Sequence, residues 1–159
     1  MTQMDAAAGF GLARDGGERL SWMGDPTRLM LTGEATGGAY ALAEIVSSPQ
    51  GIVPLHVHHR EDEAFYLLEG EVTFTVGERV FDADAGSFAF GPRDVPHRYD
   101  VTSPSARMLM LFSPAGFEGF IRETSEPSDR PVARVLEDLD MELVVEIAAR
   151  YGAEMLDGG

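Results

Sequence analysis

The stretch Leu55–Gly70, LHVHHREDEAFYLLEG, decides how this chain is read. It sets His56, His58 and Glu63 in the order H-x-H-x4-E, with Gly70 following after six intervening residues. Residues two apart on a β-strand project to the same face, so His56 and His58 point together while Val57 points away. The acidic segment after His58 turns the chain, and Glu63 opens the next strand beside the two histidines. His97 returns downstream in GPRDVPH, and all four histidines of the chain fall in these two segments.

Two imidazoles and a carboxylate from adjacent strands make a two-His-one-carboxylate donor set, and His97 can close a fourth position. Such donors suit one divalent transition metal per chain (Fe, Mn, Ni, Zn or Cu), with a position or two left for water, dioxygen or substrate. An HxH pair alone on an acidic turn reads equally well as solvated surface. The joint pattern with Glu63 and His97 is what argues for a metal. His59 should face away from His58 and is read as a turn residue. Glu61 and Asp62 are assigned to the solvated face of the turn, with Glu61 the reserve carboxylate if the turn is bulged.

Composition narrows the chemistry further. At 159 residues the chain is long enough for one domain with a sizeable core. Its 27 acidic residues against 12 basic ones give a net charge of −15, which repels phosphate backbones and anionic headgroups, so neither nucleic acid nor membrane is an expected partner. No apolar run approaches the ~20 residues of a membrane helix, and the N-terminus lacks signal-peptide regions, which makes a cytoplasmic protein the expectation. Without cysteine there is no disulfide, thiol nucleophile or thiolate-held cluster. Every basic residue is an arginine, so neither a Schiff base nor a P-loop can form. The G-x-S-x-G elbow and a strand-borne G-x-G-x-x-G are also missing. Catalysis is left to histidine, carboxylate, tyrosine and a bound metal.

Residues 1–20 are rich in Ala, Gly and Asp without a sustained period and read as an arm, mobile or laid over a partner. Residues 21–115 hold a series of short apolar segments: Arg28–Thr32, Tyr40–Val46, Leu55–His58, Ala64–Leu68, Val72–Val76, Arg79–Asp82, Ser87–Phe90, His97–Val101 and Arg107–Phe112. Many short strands with no long helical pattern between them predict an all-β, antiparallel jelly-roll barrel. Residues 116–159 read as a C-terminal helical extension. A short helix is expected over Gly116–Arg122, then a polar linker over Ser125–Pro131. A second helix follows, capped by Asp138, with Leu139, Leu143 and Ile147 on one face and Gly152 as its stop.

The two histidine segments resemble the paired motifs of the cupin superfamily. The first, G-x5-H-x-H-x3–4-E-x6-G, is matched by Gly51, His56, His58, Glu63 and Gly70, with one residue fewer before the first histidine. The second, G-x5-P-x-G-x2-H-x3-N, is matched by Gly86, Pro92, Asp94, His97 and Val101, with aspartate for its inner glycine and valine for its asparagine. These departures bear on the loop before His97. Over most of Thr32–Glu123 the chain is similar to small single-domain cupins related to quercetin dioxygenase. The resemblance implies a double-stranded β-helix, a metal held by His56, His58, Glu63 and His97, and a homodimer.

Neighbours of an inward-facing metal should be apolar, and Phe65, Phe74, Phe90, Met108, Met110 and Phe112 are the candidate pocket residues, suited to a small apolar or aromatic substrate. Tyr99 shares the face of His97 and is a candidate hydrogen-bond donor to a bound oxygen. The resemblance gives Glu63 a second role as a base. The expected function is a metal-dependent oxidoreductase, a dioxygenase for an enolic or phenolic substrate. The alternatives are a non-oxidative cyclase or isomerase of a polyketide-like substrate, and a non-catalytic metal- or ligand-binding protein.

Overall fold

The computed structural model describes residues 8–126, 135 and 137–157. Among them, the strands are β1 (Glu18–Trp22), β2 (Asp25–Leu31), β3 (Ala41–Ser47), β4 (His56–His58), β5 (Asp62–Glu69), β6 (Val72–Val76), β7 (Arg79–Ala83), β8 (Phe88–Gly91), β9 (His97–Val101), β10 (Ala106–Ser113), β11 (Ser125–Glu126) and β12 (Ala153–Met155). The helices are α1 (Gly33–Thr36), α2 (Glu118–Glu123) and α3 (Met141–Arg150).

The strands build two antiparallel sheets, in the orders β11-β1-β2-β3-β10-β5-β8 and β12-β4-β9-β6-β7. Their inner faces follow the two-residue period of the sequence. On β3 the buried residues are Ala41, Ala43, Ile45 and Ser47, and on β10 they are Ala106, Met108, Met110 and Phe112. Small residues on β3 face large ones on β10 in register, as in Ala43 opposite Met110 and Ala41 opposite Phe112. Removing each of these large side chains from water stabilises the fold by roughly 1.5–3 kcal/mol. The core continues into the helices through Phe117, Phe120, Ile121, Ile147 and Ala148. This is the expected all-β barrel with short C-terminal helices.

Several local expectations shift. Residues Glu18–Leu20, placed in the arm, belong to β1 and pair antiparallel with β2; residues 1–7 of that arm lie outside the described residues. Asp140 caps α3 in place of Asp138, because it stands three residues before Leu143 and accepts that residue's N–H at 3.1 Å. The buried face of α3 is Val144, Ile147 and Ala148, while Leu143 is 49% exposed. Gly152 ends the helix, yet the chain then returns as β12 and pairs with β4, so the extension closes one edge of the smaller sheet. Residues 127–131 of the expected linker lie outside the described residues. Gly70 occupies a turn. Its φ is +89°, and a Cβ there would collide with the backbone of Ser105 and Ala106.

Candidate metal centre

Strands β4, β5 and β9 carry the four predicted donors to one place. His56 lies directly opposite His97 in the pairing of β4 with β9, and Glu63 begins the inward face of β5. His58, Glu63 and His97 are buried, His56 is half-buried, and one ligand atom from each of the four lies within 4.8 Å of the others.

Each histidine has its Nδ1 already engaged. His56 Nδ1 is 2.8 Å from the Pro54 carbonyl oxygen, His58 Nδ1 2.7 Å from Glu61 Oε1, and His97 Nδ1 3.2 Å from the Val95 carbonyl oxygen. Donation from Nδ1 to these acceptors fixes each ring and leaves Nε2 as the nitrogen available for binding. His97 Nε2 meets Glu63 Oε2 at 2.9 Å, and His58 Nε2 lies 3.0 Å from the same oxygen. His58 Nε2 is close enough for attraction but aligned with no hydrogen-bond partner. A buried ring nitrogen left without a bonded partner, beside a second imidazole and a shared carboxylate oxygen, fits a metal ion. The donor set suits Fe, Mn, Ni, Zn or Cu.

The electrostatics of the site divide its members. Burial, reinforced by repulsion from His97, pushes His56 down to about 4, so it is neutral and ready to ligate at neutral pH. For His58 burial acts downward, but the hydrogen bond to Glu61 and the attraction of the neighbouring Glu63 carboxylate outweigh it and lift the group to about 9. Glu63 also resists ionisation through burial, and its contacts with His58 and His97 more than offset this and hold it well below the usual carboxylate range.

Beside the donors lies a cavity of about 60 Å³, reached by His56, Glu63, Phe65, Tyr99, Met110 and Phe117 among others. Of the predicted pocket residues, Phe65 and Met110 line it. Phe74, Met108 and Phe112 are buried in the surrounding core. Phe90 does not belong to the interior: β8 turns Ala89 and Gly91 inward, which leaves Phe90 outward and 48% exposed. Tyr99 reaches the cavity with its hydroxyl 2.9 Å from Ser47 Oγ, and burial raises its ionisation above the ordinary tyrosine value. His59 stays outside, between Asp94 at 2.7 Å and Glu154 at 3.1 Å.

Glu61 corrects the expectation of a solvated turn. It is 2% exposed and is the partner of His58 rather than a surface charge. Its strand parity with Glu63 was the available signal. Asp62 does sit at the surface, paired with Arg93. Asp94 shows why aspartate can replace the motif glycine. It adopts φ +66°, which aspartate tolerates, and its N–H bonds the His58 carbonyl at 2.8 Å. Two further contributors were not among the predicted site residues. Phe117 packs edge-on to the His58 ring at 4.4 Å, and Gly91 lies against His97, where an added Cβ would come within 2.8 Å of Nδ1.

The jelly-roll barrel brings three imidazoles and one carboxylate together from β4, β5 and β9 in a set that could hold a metal ion. Residues 44–113 match the cupin domain family, a match that supports a small cupin. It is 25% identical over 123 residues to quercetin 2,3-dioxygenase of Bacillus subtilis, covering 77% of this chain. The chain spans only 36% of the length of that relative. Among solved structures, KdgF from a Halomonas species aligns with TM-score 0.60 at 15% identity, covering 70% of this chain and 98% of that one. An RmlC-like cupin from Shewanella frigidimarina aligns with TM-score 0.59 at 18% identity, covering 70% and 96%. These structural likenesses bear on the fold. No helix among the described residues is long and apolar enough to cross a membrane.

Proposed function

We propose that the protein is a metal-dependent cupin oxidoreductase, a dioxygenase acting on an enolic or phenolic substrate of flavonol or polyketide type. The observation that carries this reading is the convergence of three imidazoles, each tethered at Nδ1, on Glu63 at the wall of an apolar cavity. A transition metal held by His56, His58, Glu63 and His97 would supply Lewis-acid activation of a substrate hydroxyl and access to dioxygen chemistry. The chain's own residues do the remainder. Pro54, Glu61 and Val95 hold the three rings in place. Phe65, Met110 and Phe117 exclude water from the reacting centre. Tyr99 offers a hydroxyl at the cavity wall, oriented by Ser47.

The distant likeness to a quercetin dioxygenase supports the oxidative choice. A homodimer is part of the reading. Its support is an apolar patch on the outer face of the larger sheet, where Tyr66 and Phe88 face each other across β5 and β8 with Phe90 alongside, all at least 45% exposed.

The test is oxygen uptake by the Fe, Mn, Ni, Co and Cu forms with quercetin, other flavonols and smaller enols. Uptake with product formation supports the reading, and no uptake by any form with any substrate overturns it. Turnover under argon by a zinc form points instead to cyclisation or isomerisation.

A further inference from the structure

The cavity beside the metal donors contains one acidic side chain that neither cupin motif supplies. Asp25 begins β2, whose buried residues are Asp25, Thr27 and Leu29, so its carboxyl points into the barrel. It is 5% exposed and lines the same cavity as His56 and Glu63. A second cleft of about 130 Å³ lies on its other side, lined by Ser47, Ser48, Gly51, Tyr99 and Asp100 among others, and Asp25 and Tyr99 border both. That cleft reaches the surface at Pro49 and Asp100, which are exposed. Asp25 therefore stands between the apolar chamber beside the donors and a second route to water.

The site around Asp25 is built. Ser48 Oγ lies 3.3 Å from Asp25 Oδ1, and Gly51 packs so closely that an added Cβ would come within 2.9 Å of Oδ2. Gly51 is the first motif glycine, and its missing side chain leaves the space that Asp25 fills.

We propose that Asp25 is the acid–base residue of the cavity, exchanging a proton between a hydroxyl of the bound substrate and the cleft behind it. This rests on the proposed metal cavity. As the carboxylate, Asp25 takes the proton of a substrate hydroxyl. The substrate O–H bond breaks, a carboxyl O–H bond forms, and the electron pair stays on the substrate oxygen as an enolate or phenolate. The carboxyl holds the proton while the substrate stays bound and gives it up through the cleft once the site empties. Burial pushes the Asp25 carboxyl up to about 6, with hydrogen bonds from Ser48 and Ser47 pulling the other way, which brings it near the neutral range where a general base works best. Glu63 is less suited, because its Oε2 is shared by His58 and His97. The other titratable groups facing Asp25 from the packed strands are His56, Glu63 and Tyr99 in the cavity and Asp100 in the cleft.

Zinc-loaded protein titrated with catechol tests this without redox turnover. Calorimetry at about pH 7.5, in buffers of different ionisation heat, counts the protons released on binding. Wild type should retain the catechol proton and release close to none. Asp25→Asn should release about one and bind roughly tenfold more weakly, and Asp25→Glu should restore retention. Infrared difference spectra of the wild type provide a measurement that needs no variant: catechol should raise the C=O band of one protonated carboxyl. An unchanged proton count in Asp25→Asn, no new carboxyl band, or zinc-loaded protein that ignores catechol each overturns the role of Asp25. Protein that takes up no zinc overturns the metal cavity itself, and Asp25's role with it.

Discussion

Glu61 is the residue through which the metal centre can be tested most sharply, because replacing it has two opposed effects that pH separates. Its carboxylate holds His58 Nδ1 at 2.7 Å inside the protein. In the metal-bound state that contact fixes the ring and raises the basicity of Nε2, and loss of such a partner typically costs 10–100-fold in affinity. In the metal-free state the same contact helps lift His58 to about 9. A metal arriving at pH 7 must then displace a proton from that ring, which weakens apparent binding by a factor of about 100, or ~2.7 kcal/mol at 1.36 kcal/mol per pH unit. Glu61→Gln removes the first effect and much of the second, with Glu63 still acting on His58. At pH 9, where His58 is about half deprotonated and proton competition costs only about twofold, the variant should bind zinc roughly 5–50-fold more weakly than wild type. At pH 6.5 the wild type is hindered by its proton and the variant much less, so the gap should close to about threefold or less. Competition with a chromophoric chelator across this range measures both constants. A gap that is constant with pH, or a variant that binds as tightly as wild type at pH 9, would refute the role of Glu61.

Three other outcomes are expected. In metal-free protein His58, whose folded value of about 9 lies above its ordinary 6.5, stabilises the fold fully below pH 6.5 and loses that contribution as pH rises through 9; urea midpoints should fall by the equivalent of about 3 kcal/mol over this window, and the fall should vanish in His58→Asn. Gly91→Ala should leave the far-ultraviolet circular dichroism unchanged while displacing His97, so that elemental analysis finds well under one metal per chain where the wild type holds about one. Asp94→Gly should be neutral or stabilising in thermal melts because of its φ of +66°, whereas Asp94→Val should destabilise by about 1–2 kcal/mol.

The barrel and its four donors were legible because both depend on a strict local rule. Alternation by two on β4 places His56 and His58 together, and Gly70 answers a backbone need that no other residue meets. The same rule misplaced Phe90, because which face of β8 turns inward depends on its pairing with β5, where Gly91 sits opposite Glu63. Glu61 was read as solvated because an acidic turn is normally exposed, and only the fold reveals that His58 is there to receive it. β12 was hidden by its shortness. Three residues after a helix stop carry too little pattern to announce a strand, and the partner that orders them, β4, lies far away in sequence.

The C-terminal extension links the fold to the size of substrate the site can take. Met141 and Val144 of α3 and Met155 of β12 line the same cavity as His56 and Glu63, and Trp22 of β1 reaches it from the other sheet. The cavity of about 60 Å³ is far below the roughly 300–1,000 Å³ of pockets that hold drug-sized ligands. A flavonol therefore enters only if part of this wall moves. α3 is the segment suited to do so, because its inward side is a narrow apolar stripe of Val144, Ile147 and Ala148 rather than a face locked by buried ion pairs. β12 is short but bonded to β4 on the strand that carries His56 and His58. Displacing α3 would then enlarge the chamber while β12 keeps the donor strand in place, so that substrate size and metal geometry are set by two adjacent elements with separate tethers.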